Sequence, residues 1–223
     1  MEEKGKYIVI EGHDGTGKST QVEMLRDYLE QHGIASEEIH EPAGVPIADE
    51  LRTIIKNGDL ERDPITNLLL FTAARRAIYE QKIAPTLGRG AWVLAARNWI
   101  STVAYQGYGE GLDPGVVKSV TRQFTDLHYM LPDWTVILTL ENNEQRAERI
   151  AERGELENPD TFESKDDEFQ DRVKNGYLDI AEKSSIQTID ASPSKEEVHQ
   201  QIVQNLSKLL AEANQARKMN SIL

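Results

Sequence analysis

Tyr7-Ile8-Val9-Ile10-Glu11-Gly12-His13-Asp14-Gly15-Thr16-Gly17-Lys18-Ser19-Thr20 joins three local patterns without a break. Tyr7 to Glu11 is an apolar run with β-branched residues, stopped at Gly12, the signature of a strand buried on both faces. From Lys18 to His32 the period changes: Val22, Leu25 and Leu29 recur at helical spacing, and Gly33 closes the segment just past the helix end. Between the two lies a loop with glycine at positions 12, 15 and 17. The first unit is therefore strand, glycine loop, helix.

Gly12 to Ser19 fits the pattern GxxxxGK[ST] in full, and a chance match anywhere in a chain of this size is on the order of one in a hundred. The glycines let successive backbone N–H groups face one concavity, and the helix N-terminus adds partial positive charge. Gly12, His13, Asp14, Gly15, Thr16, Gly17, Lys18, Ser19 and Thr20 are thus the candidates to hold the phosphates of ATP or a similar triphosphate. Lys18 can reach the β- and γ-phosphates, and Ser19 can place its hydroxyl on Mg²⁺. His13, a variable position of such loops, is expected to face solvent. The loop establishes a triphosphate site but not a reaction, because kinases, switch GTPases and motor ATPases all use one.

Outward from the loop, short strand candidates recur at Glu37 to His40, Trp92 to Ala95, Thr135 to Leu140 and Ile186 to Asp190. Helical patterns lie between them. Leu51, Ile54 and Ile55 mark one, and Pro64 starts a longer one through Ile65, Leu68, Leu69 and Phe71. Val116, Val120 and Phe124 mark another, followed by Gln145 to Arg153 and Phe169 to Glu182. Val198, Ile202, Leu206 and Leu209 give a final amphipathic helix, with a polar tail after about Ala213 that is expected to fray. Alternation of strands and helices predicts a three-layer α/β fold around a parallel sheet of five strands.

The chain has 223 residues, 39% hydrophobic and 28% charged, which supports one domain over 1–223 with a shared core. A net charge of −13 argues against a partner such as duplex DNA or an anionic membrane, which needs a basic face. It leaves room for a small phosphate ligand, since a pocket needs only a few local donors. With no Cys, disulfides, thiolate metal sites and cysteine nucleophiles are excluded. The five histidines, at 13, 32, 40, 128 and 199, show no metal-ligand spacing, so no zinc site is expected. Met1 to Lys6 lacks the apolar run of a signal peptide, and other apolar runs are too short to span a bilayer. The expectation is a soluble cytoplasmic protein.

Several further segments stand in a telling order: Glu41-Pro42-Ala43-Gly44, Leu69 to Arg75 (LLFTAAR), Trp92 to Gly107 (WVLAARNWISTVAYQG) and Arg149 to Leu156 (RIAERGEL). With the opening YIVIEGHDGTGKST, they resemble the thymidylate kinases of the P-loop nucleoside-monophosphate kinase superfamily over about residues 5–210. The resemblance implies transfer of the γ-phosphoryl group of ATP to a deoxynucleoside monophosphate, usually dTMP, with Mg²⁺ as cofactor. It implies a homodimer, with helices around 64–83 and 115–127 as interface candidates, and a mobile lid near 149–165. In the acceptor site it aligns Glu41 with the EPGG turn, Phe71 with the base-stacking residue and Arg75 with the arginine on the pyrimidine carbonyl edge. Arg97 aligns with the acceptor-phosphate arginine, and Asp14 with an acid near the acceptor sugar and phosphate. Ser101, Thr102, Tyr105 and Gln106 align with residues around base and sugar, Tyr105 crowding a ribose 2′-OH. Where one subtype carries a loop arginine this chain has Gly15; Arg149 and Arg153 match the lid arginines of the other subtype, which stabilise the transferring charge. The residues make independent sense in part. Arg75 lies one helical turn beyond Phe71 and projects from the same face, and a guanidinium fork suits phosphate at Arg97.

The departures gather around the acceptor. Ala96 stands where the family has an aspartate next to Arg97, so Mg²⁺ is expected on Ser19, the phosphates and water, helped by Asp14 or Glu11. His40, Ala43, Asn98 and Trp99 also differ from the family pattern. Three readings follow: an active dTMP kinase, with base selectivity broadened towards other deoxynucleoside monophosphates as a variant of it; a nucleotide-binding regulator weakened by Ala96; and a small-molecule kinase acting on nucleosides. Phe71, Arg75 and the AYQG segment favour a monophosphate acceptor.

Overall fold

The computed structural model describes residues 5–152, 161–162 and 164–220. Five strands, β1 (Tyr7–Gly12), β2 (Ser36–His40), β3 (Trp92–Ala96), β4 (Trp134–Thr139) and β5 (Gln187–Asp190), form one sheet in the order β2-β3-β1-β4-β5. Every pairing is parallel, with Tyr7 opposite Val93 and Ile8 opposite Trp134. Parallel neighbours need crossover connections, and the helices that make them cover both faces. β1 lies in the middle, so the loop that follows it opens at the carboxyl edge of the sheet, where the strand order diverges and ligands bind in such folds.

The helices are α1 (Lys18–Gln31), α2 (Pro46–Lys56), α3 (Pro64–Ile78), α4 (Ala84–Gly88), α5 (Trp99–Thr102), α6 (Pro114–Phe124), α7 (Leu127–Met130), α8 (Asn143–Ala151), α9 (Asp167–Ser184) and α10 (Lys195–Asn220). Alternate strand residues feed two cores, as the period of two requires. Ile8, Ile10, Val136 and Leu138 face α1 and α10, packing on Val22, Leu25, Ile202 and Leu206. Tyr7, Val9, Val93 and Ile137 face the other way, onto Leu68 and Ile78 of α3 and Val173 and Tyr177 of α9. The three layers match the predicted architecture.

Local chemistry sets the ends of these elements. Gly33, at φ +67°, stops α1 while its N–H and that of Ile34 donate to the carbonyls of Glu30 and Leu29, both at 2.8 Å. Asp63 caps α3 by accepting from the Thr66 N–H at 2.6 Å, with Pro64 behind it. Two features differ from the sequence expectation. α10 continues to Asn220 rather than fraying at Ala213, because Glu212, Gln215, Ala216 and Lys218 are all strong helix formers. Tyr79–Ile83 and Val103–Gly109 are π-helical, the second carrying the AYQG segment as a continuation of α5. Wider turns of this kind concentrate at functional sites, and this one turns Tyr105 and Gln106 inward together.

Candidate active site

The loop Gly12 to Ser19 spans the gap between β1 and α1. The Thr16 hydroxyl and the Lys18 ammonium both donate to the His13 carbonyl, at 2.8 and 2.9 Å, which closes the loop on itself. Gly15 sits at φ +85°, and a Cβ there would lie 2.7 Å from Cγ of Arg146, so α8 rests directly on the loop tip. A side chain at position 15 has no room while α8 stays docked.

Two clefts flank the loop. On one side a cavity of about 190 Å³ is lined by Asp14, Lys18, Ser19, Glu41, Phe71, Arg75, Arg97, Ser101, Tyr105 and Gln106, all singled out from sequence. His40, Pro42, Arg52, Lys56, Ala96 and Phe162 complete its wall. On the other side, a second cleft of about 390 Å³ is formed by Gly15, Thr16, Gly17, Thr20 and Gln21 with Arg149 and Glu152 of the α8 end and Pro193 to Lys195 at the start of α10.

The first cavity is floored by paired charges. Arg97 has a left-handed backbone, φ +76°, unusual for a non-glycine residue and costing about 1–3 kcal/mol, and it turns the side chain back over the loop. Its guanidinium pairs with Asp14 and donates to Ser101 Oγ at 3.0 Å and Tyr177 Oη at 3.3 Å. Tyr105 donates to the other Asp14 oxygen at 2.5 Å, and Lys18 Nζ stands 3.9 Å from Asp14 Oδ1. Burial pushes the Asp14 carboxyl up, but Arg97, then Lys18, outweigh it and hold the group well below the usual carboxylate range. Asp14 is therefore ionised and already balanced by two cations.

A second buried pair lies under the base end of the cavity. Arg75 Nε donates to Glu41 Oε2 and to the Asn98 carbonyl, both at 3.0 Å, and Tyr129 donates to Glu41 at 2.5 Å. The guanidinium lies 5.2 Å over the Phe71 ring, and its buried NH1 has no hydrogen-bond partner within the protein. Burial raises the Glu41 carboxyl to about 7, against the pull of Arg75 and Tyr129. A planar donor with one nitrogen unspent, next to an aromatic face, is an arrangement that reads a flat ring with a carbonyl edge.

The family model for thymidylate kinase matches residues 10–202. A thymidylate kinase of Idiomarina loihiensis is 38% identical over 208 residues, covering 92% of this chain and 98% of that protein. One of Shewanella frigidimarina is 39% identical over 220 residues, covering 95% and 99%. This chain belongs to the thymidylate kinase family. The crystal structure of thymidylate kinase from Ehrlichia chaffeensis has the same fold, with TM-score 0.72 and 27% identity over 92% of this chain and 99% of that one.

Within this thymidylate kinase family member several sequence expectations change. His13 does not face solvent: it is 6% exposed, and its Nε2 meets Gln170 Oε1 at 2.7 Å. Its ring also packs on Tyr105, centroids 6.3 Å apart. Glu11 is not available to a metal. Its Oε1 accepts from the N–H groups of Asn98 and Ser101 at 2.7 and 3.0 Å, and its Oε2 from Ser101 Oγ and Tyr177 Oη at 2.8 and 3.1 Å. It is a strut holding the turn after β3. Thr102, the last residue of α5, is buried and is not part of the cavity wall. Asn98 caps α5, accepting from the Ile100 N–H at 2.9 Å, and Trp99 donates to the Met130 carbonyl at 3.1 Å, so neither departure reshapes the acceptor cavity directly. Arg153 and most of the lid, 153–160 and 163, lie outside the described residues.

Arg52, Lys56 and Phe162 were missed in the sequence, whereas His40, marked there as a departure near the acceptor, does line the cavity. The first two sit a turn apart on α2, where their spacing looks like any exposed helix face. For a cation the donor set is sparse. β3 ends in Ala96, Glu11 is saturated, Asp14 is paired, and no group of three His, Asp or Glu able to hold a metal occurs among the described residues. The Ser19 hydroxyl is exposed in the first turn of α1, beside the loop. This set fits a hydrated Mg²⁺ carried mainly by nucleotide phosphates, with one hydroxyl ligand.

Proposed function

We propose that this chain transfers the γ-phosphoryl group of ATP to dTMP, giving dTDP and ADP. The observation that carries the reading is two clefts on either side of one phosphate loop, with Lys18 and Arg97 both directed at the loop's Asp14 between them. ATP takes the cleft beside Arg149, with its phosphates on the backbone N–H groups of the loop and Thr20 near the α-phosphate. dTMP takes the cavity: thymine on Phe71 with its carbonyl edge to Arg75 NH1, deoxyribose beside Tyr105, Gln106 and Ser101, and the 5′-phosphate on Arg97. A phosphate oxygen of dTMP attacks the γ-phosphorus as its bond to the bridging β-oxygen breaks. Lys18, Arg97 and the lid arginines, Arg149 with Arg153, neutralise the charge that spreads over the equatorial oxygens. Mg²⁺, held by Ser19 and the ATP phosphates, would supply further charge neutralisation on the donor. Asp14 keeps Arg97 and Tyr105 in place, ionised at neutral pH.

Arg52 and Lys56 add positive charge at the mouth of the cavity and suit the acceptor phosphate. The large apolar side chains of Ile65 and Leu69 on α3 and Val116 and Phe124 on α6 are all at least half exposed, which supports a homodimer formed through this face. Among the described residues no helix is long and apolar enough to cross a membrane. The direct test is ADP release coupled to dTMP, with ATP and Mg²⁺. Turnover that needs all three supports the reading; ATP binding without turnover supports the regulator instead.

A further inference from the structure

His13 and Gln170 are polar, buried and unused in the phosphoryl transfer described above, at 6% and 7% exposed. Their side chains, 157 residues apart in the chain, meet Nε2 to Oε1 at 2.7 Å. The Gln170 amide nitrogen donates to the Phe162 carbonyl at 2.8 Å and reaches the Lys165 carbonyl at 3.5 Å. That fixes Oε1 as the acceptor, so His13 carries its hydrogen on Nε2. Burial lowers the His13 imidazole to about 4, which keeps it neutral and in that role at physiological pH.

Phe162 is where this chain of contacts ends. It is 4% exposed and forms part of the acceptor cavity wall, 5.7 Å from the Phe71 ring and edge-on to Tyr105 at 6.2 Å. Thr161, next to it, donates to the carbonyls at the end of α2, Ile55 at 3.3 Å and Lys56 at 3.0 Å. The backbone at 161–162 is thus pinned at two points, and one pin leads through Gln170 to the phosphate loop. His13 also packs on the Tyr105 ring at 6.3 Å, so the loop touches the same aromatic wall by a second route.

We propose that Gln170 is a positioning residue through which the phosphate loop sets Phe162 against the acceptor base, coupling donor binding to acceptor binding. The inference rests on the reading of the cavity as the dTMP site. A buried amide hydrogen-bonded at both ends transmits displacement, because leaving either end unpaired costs more than moving it. A nucleotide that orders the loop therefore orders Phe162, and by linkage dTMP tightens the donor by the same factor. Neither Gln170 nor Phe162 approaches the reacting phosphates, so the effect falls on acceptor affinity rather than on the chemical step.

The test uses the full-length enzyme and measures dTMP affinity by titration calorimetry, with and without saturating ADP, alongside steady-state kinetics. In wild type, ADP is expected to tighten dTMP at least about threefold. Gln170→Met, similar in size and lacking both hydrogen bonds, should raise the dTMP KM about fivefold, the worth of one buried hydrogen bond, with kcat within about twofold. The ADP effect should fall to none in Gln170→Met and in His13→Leu, and should partly return in His13→Asn, whose amide can still donate to Gln170. Should Gln170→Met fail to fold, the His13→Leu and His13→Asn pair decides alone. Wild-type coupling retained in both His13 variants overturns the inference while dTMP kinase activity stands. A wild-type enzyme that phosphorylates no dTMP overturns the acceptor reading and this inference with it.

Discussion

The two clefts on either side of the phosphate loop are made of different materials. The donor side is mostly backbone: Gly15 and Gly17 in left-handed conformations, a helix N-terminus, and Arg149 at its rim. The acceptor side is mostly side chain, two ion pairs with a tyrosine on each, the half-buried Asp14–Arg97 with Tyr105 and the fully buried Glu41–Arg75 with Tyr129. A triphosphate is the same in every such enzyme and asks only for N–H groups and a cation. A particular nucleotide must be told from its relatives, which takes shaped and oriented polar groups, and buried pairs stay oriented because neither member can turn away without stranding the other.

That contrast can be broken at each side. Lys18→Ala should cut kcat about a thousandfold for any acceptor, since the cation serves the transferring group, with the circular dichroism spectrum largely kept. An effect confined to the dTMP KM would misplace Lys18. Arg97→Ala should lower kcat/KM for dTMP about a hundredfold while the ATP KM moves little. Unchanged monophosphate kinetics would remove Arg97 from the acceptor site. Phe71→Ala should raise the dTMP KM about tenfold with kcat less affected, as loss of one base-stacking face predicts. Equal changes in the ATP KM would show that the clefts are not separate.

The smallest effect concerns stability. Burial holds His13 near 4 in the folded protein, below its ordinary 6.5. Between those values the unfolded chain binds the extra proton, so this group's contribution is full above about 6.5 and is lost as pH falls towards 4. Urea melts of wild type and His13→Leu at pH 7.5 and 5 should show the variant losing less stability over that interval. A parallel decline in both would mean that His13 is not buried in solution.

The same contrast explains what the sequence revealed. The loop was legible because phosphate binding by backbone demands glycine at fixed spacing next to a strand and a helix. The alternation of five parallel strands with helices was legible too, since a parallel sheet leaves continuous apolar runs such as Tyr7 to Ile10. Phe71 and Arg75 could be paired because they share one helix. Glu11 could not be read: its partners, Asn98, Ser101 and Tyr177, come from other elements far along the chain, and a carboxylate at a strand end looks equally like a metal ligand. His13 hid for the same reason, since only the fold brings Gln170 to it. Phe162 lies in a segment with no periodicity, where nothing but tertiary structure points it at Phe71.

The most direct measurement is kcat/KM for ADP release, with ATP and Mg²⁺ fixed, across dTMP, dUMP, dCMP, dAMP and dGMP. The Phe71–Arg75 arrangement predicts dTMP first by at least about tenfold, dUMP next as it shares the carbonyl edge, and the purines last. Purine monophosphates used as well as dTMP, or no release with any of the five, would contradict the account.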